Sequence, residues 1–230
     1  MPIFQLSEEL IFPPTQLADE DGLLAVGGDL STERLLLAYQ NGIFPWYNEG
    51  EPILWWTPNP RCVLFPSNFK VSKSLKQVIR KQKFNVTFDQ SFSEVINSCK
   101  AITRKGQEGT WITQNVKKAY IALHHLGYAH SVEVWDETNT LVGGLYGLSM
   151  GSLFFGESMF SYESNASKVA MYYLVEKVKQ WNFDLIDCQV HNQHLESLGA
   201  SMVSRYEFEE YLKNGLNNKT YVNKWSEYDD

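Results

Sequence analysis

Between Pro52 and Phe88 the chain contains no aspartate or glutamate, although acids outnumber bases 27 to 20 across its 230 residues. The net charge of −7 argues against a protein coated with nucleic acid over its whole surface, but it leaves room for one basic patch. Cysteine is scarce. Cys62, Cys99 and Cys188 are scattered and show no CxxC spacing, which removes the usual zinc and dithiol motifs and fits a reduced, cytoplasmic compartment. No run approaches the roughly 18 apolar residues of a membrane span. Met1 to Leu10 carries Glu8 and Glu9 and lacks the basic start and apolar run of a secretory signal. Neither a GxxxxGK(S/T) nor a GxGxxG loop occurs, which disfavours nucleotide hydrolysis and dinucleotide chemistry.

What is present is a 43% hydrophobic chain, long enough to bury one large core or two unequal ones. The acid-free window holds Arg61, Lys70, Lys73, Lys76, Arg80, Lys81 and Lys83, and reads as one basic surface. The opening third, with Phe12-Pro13-Pro14, Gly27-Gly28-Asp29 and Phe44-Pro45-Trp46-Tyr47, reads as short elements and loops. One helix is expected from Ser31 or Thr32 to about Asn41, buried through Leu35, Leu36 and Tyr39 and stopped by Gly42. A second runs from Ser72 to Lys81, with Leu75, Val78 and Ile79 on one face and Lys73, Lys76 and Arg80 on another.

Ser91-Phe92-Ser93-Glu94 has the spacing of a capping box and starts a helix carrying Val95, Ile96 and Cys99 inward. Another helix follows Thr113, using Val116, Tyr120 and Leu123, and ends at Gly127. The period then changes to strands at Ser131 to Trp135, Leu141 to Leu148 and Ser152 to Glu157. Asn165 caps an amphipathic helix through Gln180. After it come a strand at Asp184 to Val190, a short helix at His194 to Leu198, and a last strand near Met202 to Tyr206. A boundary near Phe88 divides a small N-terminal domain with the basic helix, residues 1–88, from an α/β domain, residues 89–230.

Glu157 sits in Phe154-Phe155-Gly156-Glu157-Ser158-Met159, an awkward place for a charge. A carboxylate there needs a hydrogen-bond or cationic partner, or it is protonated. It is therefore either a structural acid tied to backbone donors or a binding-site acid. Strand alternation sends Asp187 and Gln189 to one face, pairing a proton acceptor with an amide, a pattern that is more often structural than functional. Cys188 then points to the other face as a small core residue. His191 and His194 are three apart, but no third and fourth metal ligand stand at usable spacing. His124, His125 and His130 are explained by capping or solvent exposure. Trp46 and Trp111, in turn-like contexts, serve either as core plugs or as aromatic faces for a nucleobase beside the basic stripe.

The segments PPTQLADEDGLLAVGGDLS, GIFPWY, WWTPNPR, GTWIT, LVGGLYG, FGESMFS, NASKVA, LIDCQV and HLESLGA resemble, in order, the signature blocks of the leucyl/phenylalanyl-tRNA-protein transferase family over residues 10 to 212. The resemblance implies an α+β/α/β architecture, a small N-terminal domain followed by a mixed-sheet domain of the acetyltransferase (GNAT) type. It implies transfer of Leu or Phe, and less well Met, from aminoacyl-tRNA to proteins beginning with Arg or Lys, which creates an N-terminal degradation signal. It assigns catalysis to Asp187 and Gln189, the acceptor to Glu157, and the aminoacyl-adenosine to Trp46 and Trp111. The donor side chain falls to Leu145, Phe154, Met159, Met171, Leu174, Val178 and Ile186. The basic stripe itself, with Lys73, Lys76, Arg80 and Lys81, points to the phosphates of the tRNA body.

Exchanging an ester for an amide needs no ATP, metal or coenzyme, so no cofactor is expected. On this reading Asp187 attracts the amine and draws off charge as it attacks, while Gln189 orients the ester or the tetrahedral intermediate. One rival is an acyltransferase using acetyl-CoA, which normally shows an (R/Q)xxGx(G/A) pyrophosphate loop that is not found here. The other is a catalytically silent tRNA-binding module, against which the presence of both Asp187 and Gln189 weighs.

Overall fold

The structure, a computed structural model, describes residues 3–102 and 110–228; Gly109 of the GTWIT block lies outside them. Two sheets share one apolar interior. The smaller holds β1 (Phe4–Leu6), β2 (Leu23–Gly27), β3 (Phe44–Pro45) and β4 (Leu54–Trp56), in the order β1-β2-β4-β3. The larger has seven strands in the order β11-β5-β10-β9-β8-β7-β6. These are β5 (Arg61–Leu64), β6 (Asn85–Phe88), β7 (Ala129–Trp135), β8 (Leu141–Met150), β9 (Leu153–Ser161), β10 (Leu185–Gln189) and β11 (Ser201–Val203).

Among the described residues, seven helices pack around the sheets: α1 (Thr32–Gln40), α2 (Lys73–Arg80), α3 (Phe92–Ala101), α4 (Gln114–His125), α5 (Ala166–Gln180), α6 (Gln193–Ser197) and α7 (Arg205–Gly215). None of these is long and apolar enough to cross a membrane.

Antiparallel pairing runs from β6 through β9. The β9–β10 pair is parallel, because α5 carries the chain back across the sheet between them. One face of the large sheet, with Tyr146, Leu148, Phe155 and Phe160, packs on α3, α4 and the small sheet. The other face, with Leu145, Phe154 and Ile186, packs on α5. Alternation along β8 and β9 thus feeds two cores at once.

The helix termini follow the expected chemistry in several places. Ser31, Ser72 and Thr113 accept from backbone N–H groups of the first turns of α1, α2 and α4. Gly42 lies at φ 71° just after α1, where a left-handed residue stops the helix.

Other expectations are corrected. Ser91 precedes α3 but makes no side-chain cap, and its N–H donates instead to Glu133 across the sheet. Asn165 adopts φ 71° and caps nothing with its side chain; Ser161 Oγ accepts from Ser167 N–H in its place. The complete capping box belongs to Ser204 and Glu207, which start α7 where a strand to Tyr206 was expected.

β5 and β6, both within residues 1–88, hydrogen-bond into the large sheet.

Candidate active site

Two neighbouring strands break their regular pairing at the same height, and the break makes the site. On β9, Tyr146 faces Ser158 and Gly147 faces Gly156, leaving Glu157 as an extra, bulged residue. On β10, Asp187 faces Val63 and Gln189 faces Cys62, leaving Cys188 extra. The parallel pairing of the two strands runs from Leu185↔Leu153 to Asp187↔Phe155, so the bulges begin where this ladder ends. Gly147 is required by the crowding. A Cβ there would collide with the Phe155 carbonyl oxygen and lie 2.6 Å from the Phe154 ring.

A cavity of about 620 Å³ opens at this point. Leu145, Phe154, Met159, Met171, Leu174 and Ile186 give it apolar walls, while Trp46 and Trp111 stand among its other lining residues. Trp46 is 43% exposed, Trp111 only 7%. A contact of 3.4 Å between the Tyr47 hydroxyl and Thr113 Oγ1 ties their two segments together. Val178, expected in the pocket, is fully buried in the core beneath α5 and does not line the cavity.

Glu157 and Gln189 both face the cavity, joined by a 2.8 Å hydrogen bond from Gln189 Nε2 to Glu157 Oε1. The same oxygen lies 2.6 Å from the Tyr39 hydroxyl, and Oε2 lies 3.0 Å from the Tyr120 hydroxyl. Burial pushes the Glu157 carboxyl up to about 7, against the opposing pull of these hydrogen bonds. No cationic side chain supports it in these bonds. The acid anticipated from its apolar neighbours thus has hydrogen-bond partners and still titrates near neutrality.

Asp187 behaves differently. It is 0% exposed, and both its oxygens bond Arg61, at 2.8 Å to Nε and 2.7 Å to Nη2. Oδ1 also accepts the Gln189 backbone N–H at 2.9 Å. It does not line the cavity, which Glu157 and Gln189 face. The shared face expected for Asp187 and Gln189 is lost because the bulge rotates Gln189, at φ 63°, out of the alternation. Cys188 lines the cavity and also packs against the core beneath α5, its thiol donating to the Ile186 carbonyl at 3.8 Å.

The basic stripe is narrower than its composition suggests. Lys73, Lys76, Arg80 and Lys81 are exposed on or just after α2, which packs on α5. Arg61 belongs to the interior, between the Phe44 and Phe208 rings, and Lys83 pairs with Glu163 at 2.8 Å. His130 is also internal, 2.8 Å from Asp89 and stacked on Trp225.

Sequence reasoning missed Tyr39 and Tyr120 as site residues. It read them only as helix-face apolar residues. Their period was right, but nothing local shows that two hydroxyls 81 positions apart converge on Glu157.

Comparison with known proteins bears on the family. Residues 63–213 match the family described as leucyl/phenylalanyl-tRNA protein transferase, and residues 28–59 match the N-terminal domain of that family. A leucyl/phenylalanyl-tRNA–protein transferase of Syntrophus aciditrophicus is 55% identical over 98% of this chain and 94% of its own length. Those of Syntrophobacter fumaroxidans and Pseudomonas fluorescens are 54% and 57% identical, over 98% and 90% of this chain and 96% and 92% of their own. Among solved structures, a GCN5-related N-acetyltransferase from Kribbella flavida aligns with 74% of this chain and 60% of its own, at 8% identity and a TM-score of 0.38. At more than half identity over nearly its full length, and with both family regions matched, the chain belongs to the leucyl/phenylalanyl-tRNA–protein transferase family.

Proposed function

We propose that this aminoacyltransferase moves Leu or Phe, and less well Met, from aminoacyl-tRNA to the N-terminal amine of proteins that begin with Arg or Lys, marking them for degradation. The observation that carries the reading is the cavity itself. Its apolar walls suit an unbranched or aromatic donor side chain, and Glu157 and Gln189 face into it to meet the amine and the ester. Trp46 and Trp111 supply aromatic surface for the terminal adenosine. The decisive experiment is transfer of labelled Leu or Phe from charged tRNA to a protein beginning with Arg. Failure with every charged tRNA overturns the proposal.

Gln189 orients the ester and the tetrahedral intermediate through its amide, and Glu157 receives the acceptor amine. Asp187 then acts from behind the wall. It holds the bulge through the Gln189 N–H while Arg61 neutralises its charge, which makes it a positioning residue. The chemistry draws its leaving group from the activated ester, so these side chains need only orient and manage protons.

Donor choice follows from pocket shape. Leu and Phe can bend at an unbranched Cβ into walls formed by Phe154, Met159 and Ile186, whereas Ile and Val are stiff at χ1. Charged tRNAs carrying Ile or Val should give little product in the same assay. Comparable transfer of Ile and Leu would contradict this pocket model.

The exposed cations of α2 should act on the tRNA body. Replacing Lys73, Lys76 and Arg80 by Ala should weaken donor binding and reduce the slope of its salt dependence by up to about three, one for each phosphate no longer neutralised. Transfer from a minimal aminoacyl-adenosine should be little affected. Equal loss with the minimal donor would show that α2 serves the fold instead.

A further inference from the structure

Four oxygens in the site make three close approaches, and with Glu157 ionised only the two tyrosine protons remain to fill them. The Tyr39 and Tyr120 hydroxyls are 2.5 Å apart, Tyr39 is 2.6 Å from Glu157 Oε1, and Tyr120 is 3.0 Å from Oε2. Each close approach needs a proton between its oxygens, or two lone pairs face each other. Two tyrosines bring two protons for three such approaches. If Glu157 is ionised, one approach is left bare: Tyr39–Tyr120 when both hydroxyls donate to the carboxylate, or Tyr120–Oε2 when Tyr120 donates to Tyr39 instead. If Glu157 carries the third proton, the count closes. Oε2–H donates to Tyr120, Tyr120 to Tyr39, and Tyr39 to Oε1, in a ring running one way round.

We propose that Tyr39 and Tyr120 close this ring to keep a proton on the Glu157 carboxyl before substrate binds, and that Glu157 delivers that proton to the departing ribose hydroxyl during transfer. The proposal deepens the transferase reading and rests on it for its second half. The acceptor nitrogen attacks the ester carbon, a C–N bond forms, and the C–O bond to the ribose breaks. The ribose oxygen keeps the electron pair and takes the Glu157 proton. The surplus proton on nitrogen then passes to the Glu157 carboxylate, which restores the ring, so one proton has moved from nitrogen to oxygen.

The surroundings support this assignment. Burial holds both tyrosine hydroxyls well above their ordinary range, so neither gives up its proton near neutrality. The other ionisable groups nearby are Tyr146 on β8, which packs edge-on to Tyr120, and Asp187 on β10, whose charge Arg61 of β5 engages. Cys188, His191 and His194 line the same cavity. Tyr39 and Tyr120 are themselves fully buried, so they are positioning residues and Glu157 is the catalytic one.

The ring makes a prediction opposite in sign to the simpler view that the tyrosines only donate to a carboxylate. Removing a donor to the anion raises a carboxyl pKa. In the ring each tyrosine both donates and accepts, so removing one breaks two bonds of the protonated form against one stronger bond to the anion. It also relieves the bare oxygen–oxygen approach that disfavours the anion, so the pKa falls. In the unliganded protein, infrared spectroscopy should show the C=O stretch of a protonated carboxyl that fades as pH rises through about 7. Its loss in Glu157→Gln assigns the band and separates it from Glu133, a second buried carboxyl held up at about 7. Should that variant fail to fold, Glu133→Gln leaves the Glu157 band to be followed alone.

Tyr39→Phe and Tyr120→Phe should move the midpoint down by roughly half to one unit, the worth of one hydrogen bond. In the same variants kcat/KM at pH 8 should fall about three- to tenfold, following the protonated fraction, and the deficit should shrink toward pH 6. A purely structural role would give a deficit independent of pH. An upward midpoint shift overturns the ring. A downward shift with a pH-independent deficit overturns proton delivery. Absence of transfer in the wild-type protein would count against the transferase reading and leave the infrared result standing.

Discussion

Asp187→Leu should destabilise the protein by about 3–5 kcal/mol, because it strands the Arg61 guanidinium in the interior without its carboxylate. Arg61 is only 1% exposed, held between the Phe44 and Phe208 rings, so water cannot replace the missing partner. Arg61→Met alone should do comparable harm by leaving Asp187 unpaired. The combination Arg61→Met with Asp187→Leu should recover most of the stability, since an apolar pair of similar volume avoids desolvating two ions. Transfer should not recover with it. The Gln189 N–H loses the oxygen that holds the bulge, and the amide moves off its mark. Urea unfolding of the two single variants and the double variant checks the first claim, with the coupling read from the cycle. Wild-type stability in Asp187→Leu would mean the pair does not hold the interior together, and full transfer by a folded double variant would remove Asp187 from the positioning role.

The second large effect concerns Gln189. Its φ of 63° would strain most substitutions, so Gln189→Gly is the variant that removes the amide and leaves the backbone at ease. That change should lower kcat by about 10² to 10³, the range for losing one oriented donor at a developing oxyanion. The KM for an Arg-starting acceptor should change much less, because the loss falls on the transition state rather than on binding. Steady-state transfer over a range of acceptor concentrations separates the two parameters. A kcat within a factor of about three of wild type, roughly 0.7 kcal/mol of barrier, would show that the amide has no such function.

Much of the helical framework was legible because its signals are local. The i, i+4, i+7 spacing of Val116, Tyr120 and Leu123, the Thr113 cap and Gly127 define α4 without reference to any other part of the chain. The change to period two after Gly127 marked β7, β8 and β9 for the same reason. The two Ser-x-x-Glu strings are instructive by contrast. Ser91 and Glu94 have the spacing of a capping box, but Glu133, on a strand far along the chain, takes the Ser91 N–H that Glu94 would accept, and the Glu94 N–H donates to the Ser91 carbonyl instead of its hydroxyl. Ser204 and Glu207 have the same spacing and no such competitor, so their box forms.

Strand partners and bulges were not legible. β5 sits between β10 and β11 in the sheet, and no residue of Arg61–Leu64 announces partners more than 120 positions away. For that reason Arg61 read as surface charge when it is the buried counter-ion of Asp187.

The sequence alone determined the family, the apolar residues that wall the cavity, and the identity of Glu157 and Gln189 as the polar groups worth watching. These follow from residue types and spacings that survive in one dimension. Only the tertiary structure decided which carboxylate faces the cavity. Alternation sets Asp187 and Gln189 side by side on one face, but a one-residue bulge reverses every later side chain on a strand, and here it turns Gln189 into the cavity while Asp187 stays behind with Arg61. Whether such a bulge forms depends on the register of the neighbouring strand, and that register is set by packing across the whole sheet.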